Sequence, residues 1–127
     1  MENTQLISLK DDENDLILQD GNYIIQVRNI DHILKRVSFM QRGWGNGYVG
    51  LPAGHLWYGV NYDDIPVDVH GGLTFGEEIE LYGNKYWVIG FDTAHYDDSL
   101  SAWPKSRVMS ETMDLLEQCK SAIKQLA

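Results

Sequence analysis

The stretch that decides the fold is Ile79-Glu80-Leu81-Tyr82-Gly83-Asn84-Lys85-Tyr86-Trp87-Val88-Ile89. Its two halves are rich in β-branched and aromatic residues, which are typical of strands. The pair Gly83-Asn84 between them suits a tight turn, because both residue types tolerate a positive φ. We therefore predict a β-hairpin whose second strand continues into Gly90-Phe91-Asp92.

Other segments supply the remaining strands and a packing partner for them. We expect strands at residues 23–27, near residues 48–51 and at residues 67–69. Residues 106–126 predict an amphipathic helix, because apolar positions recur every three or four residues along it. The predicted fold is α+β, in which the C-terminal helix packs on a small, mainly antiparallel sheet within a single domain of residues 1–127.

Three segments are harder to assign. Residues 1–20 contain the acidic run 11–15, which indicates a flexible, solvated lead-in, with a docking tail as the alternative. Residues 31–40 fit either a short helix or a strand. Residues 41–59 hold many glycines and aromatic residues, which favours a long loop with a short strand near residue 48.

Charge limits the partners that the chain can bind. The 127 residues include 19 acidic and 10 basic side chains, for a formal net charge of −9. Nucleic-acid polymers are bound through many Lys and Arg contacts to phosphates, so such a partner is not expected. A small anion needs only a local group of cations, and the nearest candidates are Arg28, Lys35, Arg36 and Arg42.

The apolar windows, the N-terminal residues and the single cysteine indicate the cellular location and the state of the thiol. No window has the roughly 18 apolar residues of a membrane span, and the start lacks a signal-peptide pattern, so we expect an intracellular protein without membrane association. The single cysteine, Cys119, excludes an intramolecular disulfide and a cysteine-based zinc site. It lies on the apolar stripe of the predicted helix, which indicates a buried and unreactive thiol.

Two polar strips interrupt the predicted strands. The first runs from Asp68 to Phe75 and contains His70, Gly71, Gly72 and Thr74, and the second ends in Asp92 and His95. Glycines without a Cβ expose backbone N–H groups, so the strips could converge on a small polar ligand. The structural alternative is a tight turn with a buried histidine. Polar residues gathered in apolar strands favour the site.

The loop of residues 41–59 offers further candidates. Trp44 and Tyr48 could stack on a planar ligand such as a nucleobase, although filling the core is the favoured interpretation for any one ring. His55 could be a third imidazole that faces the ligand, or a structural loop histidine.

Three strings carry a resemblance to known proteins: Tyr48-Val49-Gly50-Leu51-Pro52, Val69-His70-Gly71-Gly72-Leu73-Thr74-Phe75 and Trp87-Val88-Ile89-Gly90-Phe91-Asp92-Thr93-Ala94-His95. Over about residues 44–118 the chain resembles an uncharacterised family of small bacteriophage proteins. This resemblance implies a viral accessory protein in the host cytoplasm, and small proteins of this kind often counter host defence.

Three functions remain open at this point. The first is a sponge that sequesters a nucleotide immune signal, such as a cyclic dinucleotide or an ADP-ribose derivative. The second is an enzyme that degrades such a signal through His70, Asp92 and His95, which could act as base and acid or bind a divalent metal. The third is a protein-binding inhibitor of a host factor. We expect no cofactor, and no metal because no third acidic ligand is placed; a homo-oligomer is possible.

Overall fold

A computed structural model of the chain describes residues 6–29, 42–95 and 97–126. Within these residues, six strands form one antiparallel sheet and a single long helix follows them. The elements are β1 (Leu6–Asp11), β2 (Asp15–Asp20), β3 (Tyr23–Asn29), β4 (Gly45–Leu51), β5 (Phe75–Leu81), β6 (Asn84–Phe91) and α1 (Lys105–Leu126). The strand order is β1-β2-β3-β4-β6-β5. The α+β prediction is confirmed.

The first three strands form a meander that includes the acidic run. Residues 6–11 and 15–20 form β1 and β2, so the flexible lead-in expected over residues 1–20 is wrong for these residues. Residues 12–14, in the middle of the acidic run, form the turn between the two strands. Asp15 begins β2 with its side chain buried, and it accepts hydrogen bonds from Lys10 Nζ at 3.0 Å and Arg28 Nε at 3.1 Å. Part of the acidic run is therefore an ion-paired strand end and not a solvated tail.

The hairpin of β5 and β6 is confirmed, with its turn one residue earlier than expected. Leu81 pairs with Asn84, so the turn residues are Tyr82 and Gly83. Their φ values are 52° and 83°, and two successive positive φ values match the right-handed twist of a hairpin.

The expected strand at residues 67–69 is wrong. This segment lies in an irregular loop, and the Gln118 side chain of α1 satisfies its backbone. Gln118 Oε1 accepts from the Asp68 N–H at 2.8 Å, and Gln118 Nε2 donates to the Asp68 carbonyl at 2.7 Å. Bonds to one helix side chain thus replace pairing with a neighbouring strand.

The core lies between α1 and one face of the sheet. Fully buried side chains from both layers meet there: Ile25, Val27, Val49, Leu51, Ile89, Phe91, Val108, Leu115, Leu116 and Cys119. Full burial of one such aliphatic side chain is worth roughly 1.5–3 kcal/mol. A smaller cluster on the second sheet face contains Ile17, Ile24, Tyr86 and Val88. The helix predicted at residues 106–126 is confirmed, beginning one residue earlier.

The loop predicted over residues 41–59 contains β4, which begins at Gly45, earlier than the expected short strand. The helix or strand predicted at residues 31–40 lies outside the described residues. In the described part of the chain, the one long helix is too polar to cross a membrane.

Candidate functional site

Two histidines share one carboxylate near the edge of the sheet. His70 Nε2 lies 2.8 Å from Asp98 Oδ1, and His95 Nδ1 lies 2.8 Å from Asp98 Oδ2. The His95 backbone N–H also donates to Asp98 Oδ2 at 2.8 Å. The side chain of Asp98 is 2% exposed, whereas those of His70 and His95 are 26% and 37% exposed. We call these three residues the histidine cluster.

Asp98 is ionised at neutral pH. Burial alone would raise its pKa, but hydrogen bonds from the His95 amide, the His95 ring and the His70 ring outweigh burial and lower the pKa below its usual value. An ionised carboxylate only accepts hydrogen bonds, so both rings donate to it. His70 therefore carries a proton on Nε2, and His95 carries one on Nδ1.

Several contacts fix the position of His70. Its backbone N–H donates to Glu111 Oε2 of α1 at 2.8 Å. Its ring lies on the buried Trp103, with the ring centroids 4.1 Å apart and an interplanar angle of 33°. The Arg107 guanidinium lies over Trp103 at 4.1 Å. The helix and the loop before it therefore hold this imidazole.

The glycines after His70 have two different roles. Gly71 has a φ of +70°, and a Cβ at this position would collide with the His95 ring. Gly72 has a φ of +81°, its Cβ would meet open space, and its N–H donates to the Val69 carbonyl at 2.8 Å. The Gly72 N–H, which was expected to face a small polar ligand, is thus already used in a turn. Gly71 permits close approach to His95.

Asp92 also lies beside His95. It follows the last residue of β6, and its Oδ1 lies 3.6 Å from His95 Nε2 and accepts from the Ala94 N–H at 3.1 Å. A tight turn, rather than a helix, brings Asp92 and His95 together. The structure thus gathers four of the predicted site residues: His70, Gly71, Asp92 and His95.

Sequence reasoning missed Asp98. It lies in the loop between β6 and α1, which has no strand or helix pattern in the sequence. The one available signal was its spacing, because a carboxylate three residues after His95 can reach back to that residue in a turn.

His55 is not at this site. Its ring is buried: Nδ1 accepts from the Trp57 N–H at 2.9 Å, and Nε2 donates to the Cys119 carbonyl at 2.9 Å. Burial lowers the pKa of His55 below its usual value despite the bond to the Cys119 carbonyl. Of the two interpretations of His55, the structural one fits these contacts.

Tyr48 and Thr74 also point elsewhere. Tyr48 packs against the cluster on the second sheet face, where its ring meets Phe75 edge-on at 5.5 Å. Thr74 is exposed, and its N–H donates to the Gly90 carbonyl at 2.9 Å. Neither contact brings these residues to the histidine cluster.

Trp44 lies closer to the site but does not line it. Its ring is half-buried against the core, with Lys105 Nζ 5.5 Å from the ring centroid. The backbone N–H of Trp44 donates to the Trp103 carbonyl at 2.8 Å. Trp44 therefore supports the position of Trp103, beside His70.

An open cleft of about 410 Å³ adjoins His70. Among its lining residues are three carboxylates and one guanidinium, from Asp68, Glu111, Asp114 and Arg107. Of the cations expected at a ligand site, Arg28 bonds Asp15 and Arg42 is half-buried, while Lys35 and Arg36 lie outside the described residues. Arg107 is the cation that borders the cleft among the described residues.

The histidine cluster has the composition of a metal site. One donor atom from each of His70, His95 and Asp98 lies within 4.8 Å of the others. Imidazole nitrogens and a carboxylate oxygen are ligands that zinc accepts. No metal was expected because no third acidic ligand was placed in the sequence. Asp98 supplies a carboxylate that the sequence analysis had not assigned to the site.

Comparison of the chain with protein-family models, with curated proteins and with solved structures gave no match. The resemblance to bacteriophage proteins stays a prediction. The function is therefore argued from the geometry of the histidine cluster.

Proposed function

We propose that this protein is a hydrolase that cleaves a small nucleotide signal at the histidine cluster. The observation that carries the proposal is that two imidazoles bond opposite oxygens of one buried, ionised carboxylate. The proposed setting is the cytoplasm of an infected host, where removal of an immune signal would counter defence.

The chemistry of the cluster supports hydrolysis of a phosphodiester. In this reaction the water oxygen bonds to phosphorus and the ester P–O bond breaks. The water loses one proton, and the leaving oxygen receives one. Imidazoles assist either by transferring these protons or by holding a metal ion that ionises the water. Both routes require His70, His95 and Asp98 in their observed arrangement.

The adjoining cleft supports a substrate of limited charge. Arg107 can attract one phosphate near His70, whereas Asp68, Glu111 and Asp114 would repel a long polyphosphate. A cyclic dinucleotide or an ADP-ribose derivative, with two phosphates, fits this balance better than a linear triphosphate.

Capture without turnover is the second candidate function. It is favoured by the rigidity of the site, because Asp98, Trp103 and Glu111 all hold the imidazoles or their backbone in place before any ligand arrives. A preorganised site loses little entropy on binding, which favours high affinity.

The test is incubation of the purified protein with cyclic dinucleotides, cyclic oligonucleotides and ADP-ribose compounds, followed by chromatography. Hydrolysis predicts an altered product that His70→Ala fails to form, while the exposed-surface control Glu77→Gln forms it normally. Melting curves check that both variants fold. Intact ligand recovered from the protein would favour capture. If the protein binds none of these compounds and captures a host protein instead, hydrolysis and capture are both wrong. The protein is then a protein-binding inhibitor.

A further inference from the structure

We infer that His70, His95 and Asp98 bind one divalent transition-metal ion, with zinc as the best fit to the donor set. This goes beyond the proposed function, because it concerns the ion that the cluster binds and does not depend on the substrate.

The donor distances are those of a site that needs little movement to bind metal. His70 Nε2 and His95 Nδ1 each lie 2.8 Å from an oxygen of Asp98. Ligand atoms around a tetrahedral zinc ion, with bonds of about 2.0–2.2 Å, are separated by about 3.4 Å. All three donor atoms lie within 4.8 Å of one another, so shifts on the order of 1 Å bring them to the separations that the ion needs.

The choice of zinc follows from ligand chemistry. Two imidazoles and one carboxylate form the donor set of many catalytic zinc sites, which keep a fourth position for water or substrate. Magnesium and calcium prefer oxygen donors, so a site with two nitrogens disfavours both.

Asp92 is placed to orient one of these ligands. When the metal occupies His95 Nδ1, the ring proton moves to Nε2, which lies 3.6 Å from Asp92 Oδ1. A carboxylate that accepts the second N–H of a metal-bound imidazole fixes its tautomer and orientation. Asp92 Oδ1 also accepts from the Ala94 N–H at 3.1 Å, so the turn itself holds this carboxylate close to the far nitrogen of His95.

Two neighbouring residues, Gly71 and Trp103, hold the imidazoles of His95 and His70 in place. Any side chain at residue 71 would displace the His95 ring, so Gly71 is needed for this imidazole to reach Asp98. On the other side, Trp103 supports the His70 ring at 4.1 Å. Both imidazoles are thus held before the metal binds.

The experiment is a titration of chelator-treated full-length protein with Zn²⁺ by calorimetry and with Co²⁺ by visible absorption. We expect one ion per chain, a Co²⁺ spectrum of tetrahedral type and a higher melting temperature with Zn²⁺. Affinity should fall at least about 100-fold in His70→Ala and Asp98→Asn, about 10–100-fold in Asp92→Asn, and stay unchanged in Glu77→Gln. If Asp98→Asn does not fold, His95→Gln takes its place, because the His95 side chain is more exposed.

The inference is overturned if wild-type protein binds neither ion, or if the cluster variants bind as tightly as wild type. Its failure can be distinguished from failure of the proposed function. Failure to bind Zn²⁺ and Co²⁺, together with nucleotide cleavage that persists in excess chelator, would contradict the metal site alone. A protein that binds one zinc ion and cleaves no nucleotide would contradict the hydrolase alone.

Discussion

His70, which precedes β5, and His95, which follows β6, lie with their ring centroids 5.1 Å apart and their planes nearly perpendicular at 89°. The hairpin produces this proximity, because the start of β5 pairs with the end of β6 through Phe75 and Gly90. Loops leaving those two strand ends emerge at the same edge of the sheet. Asp98 then bonds both rings, so the arrangement depends on one local pairing and one buried acid.

Gly71→Ala should damage the site more than Gly72→Ala. Both positions have a positive φ, so alanine strains both backbones by a similar amount, on the order of 1 kcal/mol. A Cβ at residue 71 also meets the His95 ring, whereas one at residue 72 meets open space. We expect similar small losses in melting temperature, with ligand or metal binding reduced only in Gly71→Ala. Equal binding by the two variants would contradict the proposed role of Gly71.

The thiol of Cys119 should be unreactive in the folded protein. It is fully buried on the core side of α1, and burial raises its pKa to about 12. Thiolate is the reactive form, so labelling by a thiol reagent at pH 8 should require unfolding. We expect no labelling in buffer and complete labelling in denaturant. Rapid labelling of the native protein would show that the helix packs differently from the structure described here.

His55 should make the protein less stable as the pH falls below about 6.5, the usual histidine pKa. Burial lowers the pKa of His55 in the folded state, so the unfolded chain takes up a proton that the folded chain resists. The stability contribution is therefore present above that pH and is lost on acidification towards the lowered pKa.

His55→Gln provides the comparison. It should cost about 1–3 kcal/mol near pH 7, because the bonds to Trp57 and Cys119 are disturbed. It should also flatten the decline in melting temperature between about pH 7 and pH 5. An identical decline in the variant would show that other groups cause it.

Asp15 should contribute in a more acidic range. Burial alone would raise its pKa, but bonds from Lys10 and Arg28 outweigh burial and lower it. Its contribution is present above about pH 3.9, the usual aspartate pKa, and is lost as the pH falls through the lowered value. Asp15→Asn should cost about 1–2 kcal/mol at pH 7, since its partners are partly exposed, and reduce acid sensitivity. Denaturant unfolding at pH 7 and pH 3 measures both effects.

The parts that sequence predicted correctly are those with strong local patterns. The period of apolar residues along α1 and the turn chemistry between β5 and β6 depend on residues that are neighbours in the chain. The association of His70, Gly71, Asp92 and His95 was also expected, although one of the two strands predicted to converge there, residues 67–69, is an irregular loop. The glycine at position 71 was expected to allow close approach of another group, and the group that approaches it is the imidazole of His95.

The parts that sequence missed depend on tertiary contacts. Asp98 looks like any exposed loop acid until two histidines from separate loops donate hydrogen bonds to it. Residues 6–20 look like a solvated acidic segment, because the pairing of β2 with β3 and the bond from Arg28 to Asp15 are not visible in a local window. The backbone of residue 68 bonds Gln118, a partner far along the chain that no periodicity indicates.

Asp98→Asn separates the two imidazoles from their shared charge with little other disturbance, because it keeps the size of the side chain. The measurement is the rate at which wild-type and variant proteins convert the nucleotide panel, read by chromatography. We expect wild type to convert at least one compound, and the folded variant to do so about 10²–10⁴-fold more slowly. Equal rates in the two proteins would contradict the assignment of the histidine cluster as the functional site.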